Sequence, residues 1–137
     1  MLNASHALLI TKEGKILLQH KDDNAKILNP GRIAMFGGAV EGSENEMQAL
    51  ERELNEELEL ELSGHEFYKL NDYLKTIELD GVEHNIHVFV VKNVAKNFLV
   101  LHEGQAIIED TAENFLNNPK ITRITKLALN DFVSIKK

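Results

Sequence analysis

The sequence predicts an α+β fold, formed as a single domain over residues 1–137. Three observations support this prediction. Short apolar segments typical of strands lie on both sides of one long amphipathic segment, and further helical segments come last. This order is not the regular strand–helix alternation of a doubly wound fold. The length is sufficient for one hydrophobic core, and 43% hydrophobic with 27% charged residues is typical of an ordered globular protein.

The first part of the chain is predicted to form a hairpin, a loop and a third strand. Asn3–Thr11 and Lys15–His20 are apolar runs separated by the turn signal Lys12-Glu13-Gly14. Lys21–Gly31 is polar and contains Asn-Pro-Gly at its end, which indicates a loop. Arg32–Phe36 is a short apolar strand that leads into two glycines.

A long helix is predicted from Ser43 or Glu44 to about Leu58. Ser43 is a suitable N-cap, and Glu46 three residues later completes a capping-box pattern. Apolar residues at spacings of three and four form one stripe for packing against the sheet: Met47, Leu50, Leu54 and Leu58.

The remainder of the chain is predicted to be mostly strands, with helices at the end. The strands are Phe67–Leu70, Leu74–Leu79, Asn85–Val91, Phe98–His102 and Ala106–Ile108. Asp80-Gly81 is a hairpin turn signal. The helices are Ala112–Leu116, capped by Thr111, and Thr122–Val133.

The negative charge of the chain is local. Of 22 acidic residues, nine lie between Glu41 and Glu61, where Arg52 is the one base; elsewhere 13 acids face 14 bases. Such a cluster indicates either a solvated helix face or a cation site, and nothing is basic enough to suggest a nucleic-acid polymer as partner. The absence of cysteine excludes disulfides and thiolate chemistry. No apolar run is long enough for a bilayer span, and the N-terminus does not resemble a signal peptide, so we expect a cytoplasmic protein without membrane contact.

Three acids of the long helix share one side of it. Glu53, Glu56 and Glu57 lie within about 100° of arc, and such like charges repel by a few tenths of a kcal/mol per pair. A divalent cation would turn this repulsion into attraction, because hard cations bind carboxylate oxygens. Gly37-Gly38 before the helix lets the backbone approach a ligand closely. A solvated acidic face is the alternative interpretation.

The spacing of these residues resembles the Nudix signature, which is Gly, five residues, Glu, seven residues, then Arg-Glu-apolar-any-Glu-Glu-any-Gly-apolar. The match spans 23 residues and one position departs: Glu59 stands where the family has glycine. The matching positions are Gly38, Glu44, Arg52, Glu53, Leu54, Glu56, Glu57 and Leu60. The resemblance implies a Nudix-type α/β/α sandwich around a mixed β-sheet, with the signature as a loop-helix-loop motif.

The resemblance also implies roles for the signature residues. It assigns Mg²⁺, with Mn²⁺ as an alternative, to Glu53, Glu56 and Glu57, and the carbonyl of Gly37 or Gly38 is a further candidate ligand. Arg52 is expected to orient the glutamates, whereas Glu44 is expected to be structural. For the general base the alternatives are Glu53 and Glu103, which lies in the later segment His102-Glu103-Gly104-Gln105.

The implied reaction is hydrolysis of a diphosphate linkage in a nucleoside diphosphate joined to another group. We expect a small nucleotide-like substrate, either a nucleoside triphosphate or a nucleotide sugar. Arg32, Phe36 and Gly37, just before the signature, are candidate substrate-binding residues, with a core position as the alternative for Phe36. A homodimer is compatible with the family. The alternative functions are a catalytically silent Nudix domain that binds a nucleotide as a regulator, and a structural domain with an acidic helix.

Two outcomes are open at Glu59. Glycine at this signature position ends the helix in a left-handed turn, a conformation that costs other residues roughly 1 kcal/mol. Either Glu59 accepts this strain, or the helix ends differently. In both cases we expect the metal site to survive, because the position lies beyond the carboxylates.

Overall fold

A seven-stranded mixed sheet forms the centre of the protein. The computed structural model describes residues 2–22, 30–77, 81–102, 104 and 106–135. The strands are β1 (Leu2–Ile10), β2 (Ile16–His20), β3 (Ile33–Ala34), β4 (Phe36–Ala39), β5 (Phe67–Ile77), β6 (Glu83–Val91) and β7 (Ala106–Asp110). The helices are α1 (Glu46–Leu58), α2 (Ala112–Leu116) and α3 (Arg123–Ile135), with single 3₁₀ turns at Leu62–Gly64 and Lys96–Phe98. In these ranges no helix is long and apolar enough to cross a membrane.

Strand β1 organises the sheet because it pairs along both of its edges. On one edge it runs parallel to β6, and β6 in turn pairs antiparallel with β5. Its other edge is shared: residues 4–7 pair with β4, and Leu9 and Ile10 pair with β2. Strand β2 also pairs with β3 and β7. The two glycines of β4 therefore pair with the first half of β1, where α1 packs on the sheet.

Two hydrophobic layers lie on opposite faces of the sheet. Odd-numbered residues of β1 pack with α1, in a layer formed by Ala7, Leu9, Leu17, Phe36, Leu50, Leu54, Leu58, Leu60, Leu62, Phe89, Val91 and Val94. Even-numbered residues of β1 pack with α2 and α3, and the buried residues of that layer include Leu8, Ile10, Val88, Phe115, Ile124, Leu129 and Phe132. This alternation along β1 follows from the period of two in a strand. The predicted α/β/α sandwich around a mixed sheet is confirmed.

Helix α1 begins later than the sequence predicts. Its N-cap is Asn45, not Ser43: the Asn45 side chain accepts from the Gln48 N–H at 2.8 Å, and the Gln48 side chain accepts from the Asn45 N–H at 2.9 Å. Glu44 lies outside the helix because the cap residue Asn45 that follows it is extended, with φ −87° and ψ 175°. The Glu44 carboxylate accepts from the Glu41 N–H at 2.9 Å and from Arg52. Met47, predicted to lie in the apolar stripe, is 37% exposed.

Three strand predictions need correction. Arg32–Phe36 is not one strand, because the backbone of Met35 bonds to side chains, with its N–H on Thr125 and its carbonyl on Gln19, and so separates β3 from β4. The two strands predicted over 67–79 form the single strand β5, whose two register shifts absorb the irregularity. Leu79 and Asp80 lie outside the described residues.

The predicted strand Phe98–His102 is also wrong. A 3₁₀ turn ends at Phe98, and the following residues pair with the end of α1 instead of with the sheet. The Val100 N–H donates to the carbonyl of Leu58 at 3.0 Å, and the His102 N–H donates to the carbonyl of Glu57 at 2.8 Å. These bonds satisfy carbonyls that the last turn of a helix leaves without an intrahelical partner.

Glu59 adopts the left-handed conformation at the end of α1, with φ 54° and ψ 35°. Its N–H donates to the carbonyl of Asn55, and the N–H of Leu60 reaches back to the carbonyl of Leu54 at 3.3 Å. The Glu59 bond is the one that defines the αL type of helix end, in which glycine is the usual residue. The chain thus keeps the family's helix end without the family's residue, at a backbone cost of about 1 kcal/mol.

Candidate active site

The backbone at Gly37 is fitted tightly between β1 and α1. Gly37 has φ +139°, and a Cβ atom at this position would lie 2.1 Å from the carbonyl oxygen of Ser5. Its N–H donates to Oε1 of Glu57 at 2.9 Å, and the Glu57 side chain is almost fully buried. Nearby, the Ser5 hydroxyl donates to the carbonyl of Glu46 at 2.7 Å. Strand β4 and helix α1 are therefore joined through a buried carboxylate.

The carboxylate of Glu53 lies directly against Gly38. A Cβ atom on Gly38 would come within 2.5 Å of Cδ and 2.6 Å of both carboxylate oxygens of Glu53. No residue other than glycine leaves this space open. The motif glycine and the motif glutamate, 15 positions apart in the sequence, are thus in direct contact across β4 and α1.

Arg52 connects the other carboxylates. Its Nε and Nη2 donate to the two oxygens of Glu44 at 2.7 and 3.0 Å, and Nη2 also donates to the carbonyl of Ala39 at 3.0 Å. Its Nη1 donates to Glu53 at 3.0 Å and to both oxygens of Glu56 at 3.3 Å. The Glu44 hydrogen bond is the largest cause that raises the pKa of Arg52, and the same bond lowers the pKa of Glu44. Both groups therefore stay ionised around neutral pH.

The three predicted metal ligands differ in exposure. The Glu57 carboxylate is buried at Gly37, the Glu53 side chain is 13% exposed, and the Glu56 side chain is 56% exposed. Glu53 and Glu56 accept from the Arg52 guanidinium, whereas Glu57 accepts from the Gly37 N–H. In the described part of the chain, the oxygens of these three carboxylates do not all lie within 4.8 Å of one another. The site is thus rich in oxygen donors and opens to solvent on the side of Glu56.

A second group of potential ligand atoms lies at the start of α1. Ligand atoms of Glu46, Asp72 and His87 all lie within 4.8 Å of one another. Lys69 already pairs with both acids, at 2.8 Å from Asp72, and Nδ1 of His87 is 2.7 Å from Asp72. Burial works to raise the pKa of Asp72, but its bonds to Lys69 and His87 outweigh this effect and lower it. This cluster is an ion-pair network that joins β5 and β6 to α1, and the sequence did not reveal it.

Two of the predicted substrate-binding side chains are already engaged elsewhere. Phe36 is fully buried under α1, in the core position that was the alternative for it, and its assignment to substrate binding stays a prediction. The Arg32 guanidinium donates from Nε and Nη2 to the carbonyls of Lys120 and Ile121, both at 2.8 Å, so it ties β3 to the segment before α3. Glu103 lies outside the described residues, and its role stays a prediction.

His6 is a residue near the site that no sequence signal pointed to. It pairs with Gly37 in the sheet, and its Nδ1 atom is buried without a hydrogen-bond partner. Burial first, and then the charge of Lys21, lower the pKa of His6 to about 4. The ring is therefore neutral at physiological pH.

Comparison with known proteins identifies the family. Residues 2–115 match the profile of the NUDIX domain. The chain belongs to the Nudix family. It is 33% identical over 113 residues to the CTP pyrophosphohydrolase of Escherichia coli (strain K12), an alignment that covers 82% of this chain and 78% of that protein. The expectation of a Nudix pyrophosphohydrolase that cleaves phosphorus-containing anhydrides is confirmed.

Solved structures of Nudix proteins share the fold. The MutT protein of Methanosarcina mazei Go1 superposes with a TM-score of 0.79 at 20% identity, over 99% of this chain and 95% of that one. The E. coli ORF135 protein gives a TM-score of 0.77 at 26% identity, over 99% of this chain and 91% of that one. The MutT Nudix hydrolase of Burkholderia pseudomallei gives 0.76 at 22% identity, over 95% and 96%.

Proposed function

We propose that this Nudix enzyme hydrolyses a diphosphate linkage in a nucleoside triphosphate and depends on Mg²⁺, with Mn²⁺ as an alternative. The observation that carries the proposal is the contact between Gly38 and the carboxylate of Glu53, which occupies the space that any side chain at residue 38 would fill. Glu57 accepts from the Gly37 N–H and so adds a second carboxylate beside the Gly37-Gly38 backbone. A solvated acidic face would need neither contact.

The oxygen donors of Glu53, Glu56 and Glu57 are of the kind that a magnesium ion binds. Mg²⁺ takes oxygen ligands, usually one or two carboxylates together with water and substrate phosphates. Glu53, Glu56 and Glu57 supply carboxylates, and we assign the carbonyl of Gly38 as a further ligand. The cradle at Gly38, which a Cβ atom would fill, keeps the Glu53 carboxylate close to that backbone. We assign the metal to these four residues and not to the Glu46 group, where Lys69 already provides the cation.

The protein groups prepare this site by charge and orientation. A bound Mg²⁺ would neutralise phosphate charge and lower the pKa of an attacking water. Arg52 orients Glu53 and Glu56 through Nη1, while Glu44 and the carbonyl of Ala39 hold the rest of its guanidinium. The bidentate fork to Glu44 fixes the plane of that group, which a lysine would not do. For the general base we propose Glu53, with Glu103 as the second candidate.

The substrate proposal rests on the relative. The E. coli protein is named for hydrolysis of CTP, and we transfer this chemistry to the present chain as a nucleoside triphosphate, with CTP as the first compound to test. A nucleotide sugar, the other expectation from the sequence, becomes the second. Gly37 and Arg32 stay candidate contacts for the phosphates, although the Gly37 N–H and two Arg32 donors are already bonded within the protein. A cytoplasmic location and a homodimer also stay predictions.

The test is a metal-dependent turnover assay with matched variants. Purified protein is incubated with CTP, other nucleoside triphosphates, nucleotide sugars and ADP-ribose, with and without Mg²⁺. Glu57→Gln removes a proposed metal ligand. It should therefore reduce kcat by more than about 100-fold, which is the upper limit for the loss of a residue that only supports a metal ligand. Glu51→Gln, an exposed acid on the same helix, is the control and should retain full activity. Metal-independent turnover, or equal activity of both variants, would refute the proposal. Binding of CTP without turnover would indicate the silent regulator.

A further inference from the structure

Glu59 places a carboxylate where the Nudix signature has no side chain. Its backbone is left-handed, as glycine's would be at this position, so α1 ends here in the usual way. The ending of the helix therefore does not require a side chain at residue 59. The side chain, however, makes a specific contact: Oε2 lies 2.6 Å from Nε2 of His102. Both side chains are about half exposed, at 55% for Glu59 and 48% for His102. A pair this exposed adds little to overall stability, so its effect must be sought locally.

His102 is attached to α1 a second time through its backbone. Its N–H donates to the carbonyl of Glu57 at 2.8 Å, and two residues earlier the Val100 N–H donates to the carbonyl of Leu58 at 3.0 Å. Residues 100–102 thus follow the end of α1, and the Glu59 carboxylate secures the last residue of this contact. Glu57 is consequently held at two points, with its side chain on the Gly37 N–H and its carbonyl on the His102 N–H.

The chain comes close to the end of β2 at Gly104. Gly104 has φ +83°, and a Cβ atom there would lie 3.0 Å from the carbonyl oxygen of His20, at the end of β2. The backbone therefore passes from α1 at His102 to β2 at Gly104 within two residues. In the sequence, the candidate base Glu103 lies between His102 and Gly104.

We propose that Glu59 is a positioning residue, which fixes His102 at the end of α1 and thereby holds the peptide of Glu57 in register with the active site. The proposal rests on the proposed function, because it assigns Glu59 a role in the same reaction. It also gives a reason for a residue with an unfavourable backbone conformation at the glycine position of the signature: glycine would remove the carboxylate that contacts His102.

The test exploits the fact that the disruptive variant relieves strain. Glu59→Gly restores the residue favoured by the left-handed conformation, so its Tm should be unchanged or higher, while kcat falls about tenfold with little change in KM. Glu59→Gln retains an oxygen acceptor for the His102 ring and should retain most of kcat. His102→Ala should match Glu59→Gly, and the double variant should lose no more than either single one, because both remove the same contact.

Asn93→Gly is the matched control for backbone strain. Asn93 also has a positive φ, of 55°, and lies beyond the end of β6. The Tm of this variant should be unchanged or higher, as expected for Glu59→Gly, while its kcat stays unchanged. If Glu59→Gly retains full kcat at a raised Tm, Glu59 is simply the last residue of the helix and the proposal is wrong.

A second measurement does not depend on catalysis. Amide hydrogen exchange of the metal-free protein should show that protection at His102 falls about two- to fivefold in Glu59→Gly, the range for an exposed ion pair, while the centre of α1 keeps its protection. Unchanged protection at His102 would overturn the proposal even in an active enzyme. Conversely, a wild-type protein that turns over none of the substrates refutes the proposed function, and the exchange result still decides whether Glu59 fixes His102.

Discussion

Gly38→Ala isolates the contact between the motif glycine and the motif glutamate. Gly38 has no positive φ, so its backbone accepts alanine, which by itself would stabilise the fold by about 0.4–1 kcal/mol. The new methyl group, however, would lie 2.5–2.6 Å from the carboxylate of Glu53, where ordinary contacts begin at 3.4 Å. The carboxylate, at the end of a flexible side chain, must therefore move by about 0.8 Å. A misplacement of about 1 Å can reduce turnover on the order of 100-fold.

The assay compares turnover with stability in the same variants. We expect Gly38→Ala to reduce kcat with CTP and Mg²⁺ by about 10- to 100-fold, while urea unfolding without metal gives a free energy within about 1 kcal/mol of wild type. Gly64→Ala is the control, since a Cβ atom there meets nothing within 4 Å. Activity of Gly38→Ala within twofold of wild type would refute the idea that the position of Glu53 matters.

Gly37→Ala, unlike Gly38→Ala, should mainly reduce the stability of the fold. Its Cβ atom would lie 2.1 Å from the carbonyl oxygen of Ser5 and 2.7 Å from Cα of His6, and φ is +139°. These are backbone atoms of β1, so relief requires the two strands to separate. We expect a loss of more than about 2 kcal/mol in the free energy of unfolding, from strain and a broken strand pair together. A Gly37→Ala protein as stable as Gly38→Ala would show that the two glycines are not distinguished in this way.

Three further predictions concern the surroundings of the site. The pKa of His6 is about 4 when folded and 6.5 when unfolded, so the unfolded state binds the proton first. Stability is complete above pH 6.5 and falls as the pH drops towards 4, by about 2 kcal/mol at pH 5; His6→Gln should lose this part of the pH dependence of urea unfolding. Arg52→Lys should lower kcat about 10- to 100-fold with little change in Tm, because lysine cannot form the fork to Glu44 and reach Glu53 as well; unchanged kcat would exclude an orienting role. Tyr73→Phe removes the hydroxyl that donates to Asp131 of α3, and should reduce the free energy of unfolding by about 1–2 kcal/mol without changing KM for CTP. A raised KM would instead indicate that Tyr73 contacts the substrate.

The comparison with the sequence predictions is clearest along α1. The spacing of Leu50, Leu54 and Leu58 was enough to predict which face is buried, because three- and fourfold spacing places residues on one side of any helix. The N-cap was placed two residues too early, because Ser43 and Asn45 have equally suitable side chains. The extended backbone of Asn45, which forms the capping box with Gln48, excludes the earlier start.

The strands show the same limit of local information. Residues 98–102 have the composition of a strand, and they do form backbone hydrogen bonds, but with helix carbonyls instead of a neighbouring strand. Hydrogen-bond partners that are distant in the sequence decide between these outcomes, and the strand propensity of residues 98–102 does not reveal which partners those are. Phe36 shows the same effect for a side chain: an aromatic residue before two glycines is compatible with base stacking or with a core position, and the packing of α1 over β4 places it in the core.

The sequence by itself determined the Nudix family, the sandwich and the set of acidic residues, because the signature fixes residue types at fixed intervals on one helix and the strand before it. Only the tertiary structure decided how these residues are used. It brought Gly38 against Glu53 and Gly37 against Glu57, and it engaged Arg32 on the carbonyls before α3. It also joined Glu59 to His102, 43 residues away. The reason is physical: intervals along one helix follow from its period, whereas contacts between segments depend on how the sheet and helices pack.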